Sequence, residues 1–192
     1  MKISLILLAI FLSGCGVRLG YPDSPTAPAT SESESKKKYR IFVTAATTDG
    51  LIGTGGINGA DSFCNVDTNK PTTGTYKAML VDGSTRIAVA GSQVGWVLKA
   101  STTYTRTDGT VIGTTNSNAL FPFSLNAGIS GFATRVHTGL DTDWDTTSHC
   151  TGWTVNNTDP VAFGQANYLT SGAIFFGTDS CSSLLSLYCV EQ

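Results

Sequence analysis

Alternating apolar and polar positions predict a domain built from short strands. Residues 41–46 (IFVTAA) form an apolar run of strand length, and residues 76–83 (YKAMLVDG) form another that ends in a turn. In residues 102–115, two arms rich in Thr, Val and Ile surround Asp108-Gly109, which is the pattern of a β-hairpin. Further short strands are predicted at residues 152–157 and 186–192.

One helix is predicted at residues 57–69, where Asn58 can serve as the N-cap. The apolar residues of this segment tend to one side of the helix: Ala60, Phe63, Cys64 and Val66. The segments between the predicted elements are rich in Gly, Thr, Ser and Asn, and they show no internal repeat and no heptad pattern. The sequence therefore predicts a domain with short strands, little helix and long loops.

The amino terminus carries a targeting pattern. Lys2 precedes an uncharged apolar run from Ile3 to Leu12, which is shorter than the roughly 20 residues needed to span a bilayer. This order is typical of a signal peptide, here residues 1–14. The sequence LSGC, which ends at Cys15, resembles the lipobox of bacterial lipoproteins, in which that cysteine carries lipid. We therefore expect a lipid-anchored, membrane-attached protein; an ordinary secretory signal is the alternative.

The chain after the signal divides into a tether and one domain. Residues 15–38 contain three prolines, a Ser/Glu alternation and a lysine triplet, so they are predicted to be a disordered tether. Residues 39–192 are long enough for a single domain with its own core. This domain is net acidic, since residues 41–192 hold six Lys or Arg and eleven Asp or Glu. Nucleic acid is not expected as a partner, because phosphate binding needs clustered cations.

Four cysteines remain if Cys15 is lipidated: Cys64, Cys150, Cys181 and Cys189. An even number of cysteines in an exported protein predicts two disulfides. A zinc site is the competing interpretation, but no pair of these cysteines has CxxC spacing. Four cysteines allow three connectivities, and their spacing does not choose among them.

Known catalytic motifs are missing from the sequence. It contains no HExxH, GxSxG or P-loop pattern, and the glycine cluster at residues 53–59 has Asn58 where a dinucleotide fingerprint needs glycine. The two histidines are His137 and His149, and His149 adjoins a cysteine, which favours a positioned surface group over a catalytic base. We therefore expect neither an enzyme nor a bound cofactor.

A cluster of acids is the most suggestive ligand motif in the sequence. Asp141, Asp143 and Asp145 alternate along the chain, as the first calcium ligands of an EF-hand do. However, Thr146 and Gly152 stand where that loop requires glycine and glutamate. Calcium binding by these acids therefore remains an alternative to a role in turns.

Several motifs, taken in order, resemble one family. They are GINGADSFC (56–64), GTYKAML (74–80), HCTGW (149–153), FGQANYLTSG (163–172) and SCSSLLSLYCVE (180–191). In order and in cysteine placement they resemble the endostatin domain of collagens XV and XVIII, and more closely the leptospiral endostatin-like lipoproteins. The resemblance covers about residues 40–192 and implies an α+β, C-type-lectin-like fold: a mixed, mainly antiparallel sheet with short helices, long loops and two disulfides.

The resemblance also implies details of the structure. By position it implies the nested disulfides Cys64–Cys189 and Cys150–Cys181, and it gives Gly56 and Gly59 the role of tight backbone turns before the first helix. Endostatin holds zinc through histidines near its amino terminus, and this chain has none there. No metal site is therefore carried over. The sugar-binding motifs of C-type lectins are only echoed here, in TDP (158–160) and Trp144-Asp145.

The resemblance implies a lipid-anchored binding module of the outer membrane, exposed at the cell surface, for host proteins: laminin, fibronectin, fibrinogen, plasminogen or complement regulators of the factor H class. The longest stretch of low periodicity, residues 116–151, is the predicted binding loop, because loops on a rigid scaffold often carry function. Its candidate ligand-binding residues are Trp144 as the anchor, with Asp141, Asp143, Asp145, Arg135 and His137 around it. The alternatives are a calcium-dependent lectin and a structural outer-membrane lipoprotein without a host ligand.

Overall fold

The computed structural model describes residues 37–53 and 55–192, and the eight strands in these residues form one sheet. The strands are β1 (Tyr39–Val43), β2 (Tyr76–Ala78), β3 (Thr103–Thr105), β4 (Val111–Thr114), β5 (Arg135–His137), β6 (Pro160–Gln165), β7 (Gly177–Ser180) and β8 (Ser186–Glu191). The same residues contain two short helices, α1 (Gly56–Val66) and α2 (Cys150–Trp153), and a 3₁₀ turn (Ser171–Ala173). They form a single α+β domain. The predicted signal peptide, Cys15 and the tether up to residue 36 lie outside the described residues.

Strand β8 lies at the centre of the sheet, whose order is β4-β3-β1-β8-β5-β6-β7. One edge of β8 pairs antiparallel with β1; the other edge pairs with β5 near its start and with β2 near its end. Tyr188 and Val190 belong to the core on one face, and Leu187 and Cys189 belong to the core on the other. Burial on both faces explains why this strand is a continuous apolar run.

Helix α1 packs on the second of these cores. Ala60 and Cys64 are its fully buried residues, and Cys64 forms a disulfide with Cys189 of β8. The prediction that Asn58 caps the helix is wrong. The N-cap residue is Gly55, no side chain caps this end, and Asn58 lies exposed in the first turn. None of the helices in the described part of the chain is long and apolar enough to cross a membrane.

Most of the predicted strands exist, with different lengths. The hairpin around Asp108-Gly109 is confirmed as β3 and β4, with an irregular register between Tyr104 and Thr105. Strand β1 begins two residues earlier than predicted and ends at Val43, and β2 ends at Ala78 rather than in the turn at residue 83. Strand β8 is confirmed. β5, β6 and β7 were not predicted from the pattern, because they are short or contain Pro and Gly.

The strand predicted at residues 152–157 is wrong. This segment begins inside the single turn α2, in which Cys150, Thr151, Gly152 and Trp153 all have positive φ, and after it only Thr154 makes an isolated bridge, to Leu51. Left-handed backbone is unfavourable for residues other than glycine, so other contacts must hold it. Cys150 is fixed by its disulfide to Cys181, and the Trp153 indole N–H donates to the carbonyl oxygen of Val81 at 2.9 Å. These tertiary contacts override the local preference for a strand.

Candidate functional site

The predicted anchor, Trp144, is not accessible. Its side chain is only 5% exposed. It stacks on Phe123 at a ring-centroid distance of 5.8 Å, and the ring of Trp96 meets it edge-on at 5.9 Å. Trp144 therefore packs under the loop and is not exposed as an anchor for a partner would be.

The three acids beside Trp144 form a turn. Asp141 Oδ1 accepts the backbone N–H groups of Asp143 and Asp145, each at 2.9 Å, and the Asp145 carboxylate accepts the N–H of Thr146 at 2.8 Å. The turn is closed by a bridge between Leu140 and Thr146. Across residues 37–53 and 55–192, no group of three or more His, Cys, Asp or Glu side chains is arranged to hold a metal ion. The geometry of these acids is that of a turn.

The other two candidates lie on β5 and point to different surroundings. His137 is fully buried, with Nε2 3.0 Å from the carbonyl oxygen of Thr48. Arg135 is exposed, forms an ion pair with Asp179 of β7, and lies over the ring of Phe163. The six predicted ligand-binding residues therefore do not form one common surface.

A groove of about 810 Å³ lies beside β1 instead, and part of the predicted binding loop contributes to it. Residues 41–45 and Ser186 form its floor. Residues 106–108, in the β3–β4 turn, form one wall, and residues 129–132 together with Thr134 form the other. We call this feature the β1 groove. It lies at the end of β1 distant from Tyr39. The tether joins the domain at the other end, next to Tyr39.

The β1 groove follows a strand edge that lacks a full partner. β3 pairs with β1 only at Tyr39 and Arg40, after which the chain of β3 turns away at residue 106. Along Ile41, Phe42 and Val43, the strand that pairs with β1 in the described structure is β8, on the opposite edge. Such an edge can accept the backbone of an extended segment, which here would replace the side-chain amide of Asn69 that donates to the Val43 carbonyl oxygen at 3.0 Å.

The walls of the β1 groove carry one charge of each sign. The Nε of Arg106 donates to the carbonyl oxygen of Gly128 at 2.8 Å, which joins the two walls and fixes the guanidinium in place. Asp108 accepts the N–H of Thr110 at 2.8 Å. This hydrogen bond, more than the nearby Arg106, lowers the pKa of Asp108 below its ordinary value, so the carboxylate is charged at neutral pH.

The rim of the β1 groove carries a large exposed aromatic side chain. Phe132 is 81% exposed, although it stands between residues whose backbone is fixed. Its N–H donates to the Ser130 hydroxyl at 3.1 Å, and its carbonyl oxygen accepts the N–H of Thr134 at 2.9 Å. An exposed aromatic side chain on a fixed backbone is a suitable anchor for a partner.

Sequence reasoning missed these groove residues for different reasons. Phe132 could have been noticed, because it is an aromatic residue in the polar, glycine-rich context SGFAT. The role of Arg106 depends on its contact with Gly128, and that of Ser186 depends on the position of β8 next to β1. No local signal indicates either contact.

Comparison with known proteins identifies a family. No curated protein matches the chain. Residues 45–171 match the family described as "Protein of unknown function (DUF1554)". The matched part includes α1 and both walls of the β1 groove, whereas β1 and β8 lie outside it. Because the match spans more than half of the sequence, the chain belongs to this DUF1554 family.

Proposed function

We propose that this protein is a lipid-anchored binding module of the outer membrane, displayed at the cell surface, which binds an extended segment of a host protein in the β1 groove. The observation that carries the proposal is the edge of β1 beyond Arg40, which no strand in the described residues covers, flanked by the exposed Phe132 and by the charges of Arg106 and Asp108. Backbone pairing along the strand edge supplies affinity, and the walls select side chains.

The described architecture supports a C-type-lectin-like, endostatin-like assignment as part of this proposal. Five of its seven strand pairings are antiparallel and two are parallel, which makes the sheet mixed and mainly antiparallel. The disulfide Cys150–Cys181 is nested within Cys64–Cys189, and these are the two pairs that the endostatin resemblance implies. By the same resemblance, the partners are laminin, fibronectin, fibrinogen, plasminogen or factor H-class regulators.

A solid-phase binding panel against these host proteins tests the groove. Phe132→Ser removes the exposed aromatic anchor, and we expect affinity for the bound partner to fall about tenfold or more. Phe176→Ser is the matched control, because Phe176 is also an exposed phenylalanine, 50% exposed, and packs on Tyr168 away from the groove. If Phe176→Ser weakens binding and Phe132→Ser does not, the β1 groove is not the site.

A second pair of variants tests the charge in the groove. Arg106→Gln is expected to weaken binding, whereas Arg135→Gln, which removes an arginine paired with Asp179, is expected to leave it unchanged. Equal loss in both variants would show a general charge effect instead of recognition in the groove.

The anchoring part of the proposal has its own test. Cys15→Ala is expected to yield a soluble or unprocessed chain, and continued partition of this variant into a detergent phase would show that another feature anchors it. Protease treatment of intact cells then distinguishes surface display from a structural lipoprotein that faces the periplasm, because only a displayed domain is accessible to the protease.

A further inference from the structure

Four of the five lysines in the described residues lie at one end of the sheet: Lys37, Lys38, Lys70 and Lys99. The fifth, Lys77, lines a depression beside α1 together with Asp61 and Asp82. At this end β1 begins, β2 begins and β8 terminates: Tyr76 pairs with Glu191, and the Arg40 N–H donates to the Glu191 carboxylate at 3.0 Å. We call this feature the lysine end. The chain enters the domain here from the tether.

Tyrosine rings hold several of these lysines in place. Lys99 Nζ lies 3.9 Å and Lys37 Nζ 4.5 Å from the centroid of the Tyr39 ring. Lys70 Nζ lies 5.7 Å from the centroid of the Tyr76 ring. Tyr39 and Tyr76 are the first residues of their strands, so both rings mark the same end of the sheet.

The lysines differ from the arginines in their pairing. Arg40, Arg86 and Arg135 form ion pairs with Glu191, Asp61 and Asp179 respectively, and Arg106 in the β1 groove is the one arginine of the described residues without such a pair. No lysine in residues 37–53 and 55–192 lies within ion-pair distance of an acid in those residues. Positive charge without a paired acid is therefore concentrated at the lysine end of a domain that is net acidic.

We propose that the lysine end binds the anionic headgroups of the membrane that carries the chain. Two features support a lipid surface as the partner: the complementary charge, and the position of the lysines at the end of β1 that is nearer in sequence to Cys15, the proposed lipidation site. Binding there turns the opposite end of β1, with the β1 groove, away from the membrane. The biological setting rests on the proposed lipid anchor, but the charge arrangement of the lysine end does not.

Vesicle sedimentation of the chain from residue 15 onward, with Cys15→Ser, tests the lysine end without any contribution from acyl chains. We expect binding to vesicles that contain phosphatidylglycerol and none to pure phosphatidylcholine, and we expect the binding to weaken as salt is raised. Lys99→Gln should lower the partition coefficient about fivefold, and Lys70→Gln/Lys99→Gln about 25-fold. Arg135→Gln removes the same charge elsewhere and should have no effect; a melting curve checks the folding of each variant.

Several results would overturn the inference. Equal binding to both kinds of vesicle would exclude headgroup charge, and equal loss in Arg135→Gln and Lys99→Gln would exclude a localised surface. Binding to soluble heparin without binding to anionic vesicles would assign the lysine end to a sulfated polysaccharide instead. A failure of the lipid anchor would appear only in the Cys15→Ala fractionation, so the two proposals fail separately.

Discussion

The imidazole of His137 lies on β5 in a fully buried site. Its Nε2 is 3.0 Å from the carbonyl oxygen of Thr48, and its Nδ1 has no hydrogen-bond partner among the described residues. Burial lowers the pKa of His137 from 6.5 to about 4, against the smaller opposing effect of the Thr48 carbonyl. Between these two values the unfolded chain binds a proton that the folded chain excludes.

This difference predicts a loss of stability in mild acid. The contribution of His137 is fully present above pH 6.5 and is lost as the pH falls to about 4, with a total of about 3 kcal/mol in the free energy of unfolding. Urea unfolding at a series of pH values measures it. His137→Gln should flatten the curve in this range. An equally steep curve in His137→Gln would assign the effect to other groups.

Gly59 predicts a steric effect at one position. A Cβ built there would lie 2.2 Å from the carbonyl oxygen of Ile52, because the loop before α1 crosses the helix closely. Gly59→Ala should therefore destabilise the fold by about 1–3 kcal/mol, although alanine favours helix. Asn58→Ala, at the exposed neighbouring position, is the control and should change stability by less than about 0.5 kcal/mol. Denaturant midpoints compare the two variants. Equal midpoints would mean that the loop at Ile52 moves away from α1 without lowering the free energy of unfolding.

Trp144 shows that the exposure of a single side chain is hard to predict from the sequence. Its position between acids predicted an exposed anchor, but burial depends on Phe123 and Trp96, which come from distant parts of the chain. The resemblance implied tight backbone turns at Gly56 and Gly59. Gly56 has a positive φ, but Gly59 lies inside α1, and its constraint is the close approach of the Ile52 carbonyl oxygen. A glycine in a sequence indicates a local backbone constraint, but which distant group causes it depends on the tertiary fold.

At the scale of elements, the turn at residues 141–145 leads to a prediction about calcium. Asp141 Oδ1 holds two backbone N–H groups, so Asp141→Ala should cost about 1 kcal/mol of stability. Asp143 is exposed and its side chain has no hydrogen bond in the described structure, so Asp143→Ala should be neutral. Calorimetry with calcium or with EDTA should give the same melting temperature, since a bound ion would stabilise the fold by mass action. A calcium-dependent rise would restore the lectin alternative.

Elements with a strong local signal were predicted, and those fixed by tertiary contacts were not. The β3–β4 hairpin follows from Asp108-Gly109, and β8 follows from its apolar run. β6 begins with Pro160 and contains Gly164, which weaken a strand pattern, yet it pairs with both β5 and β7. The single turn α2 is left-handed because its disulfide and the buried Trp153 fix it there.

At the scale of the whole molecule, the two disulfides close loops of very different length. Cys64–Cys189 spans 125 residues and connects α1 to the central strand β8, whereas Cys150–Cys181 spans 31 residues. The sequence predicted two bridges from an even count, but only the endostatin resemblance implied these partners. Cysteine spacing alone carries no information about which strands become neighbours.

The difference in loop length predicts unequal losses of stability when each bridge is removed. In the loop-entropy model, the longer loop contributes about 5 kcal/mol and the shorter about 4 kcal/mol. Cys64→Ser/Cys189→Ser should therefore lower the free energy of unfolding more than Cys150→Ser/Cys181→Ser, by about 1 kcal/mol. Both double variants remove two cysteines and leave no free thiol from the pair, so they are matched. Urea unfolding compares them. A larger loss for the shorter bridge would show that holding the left-handed turn at Cys150 matters more than closing the long loop.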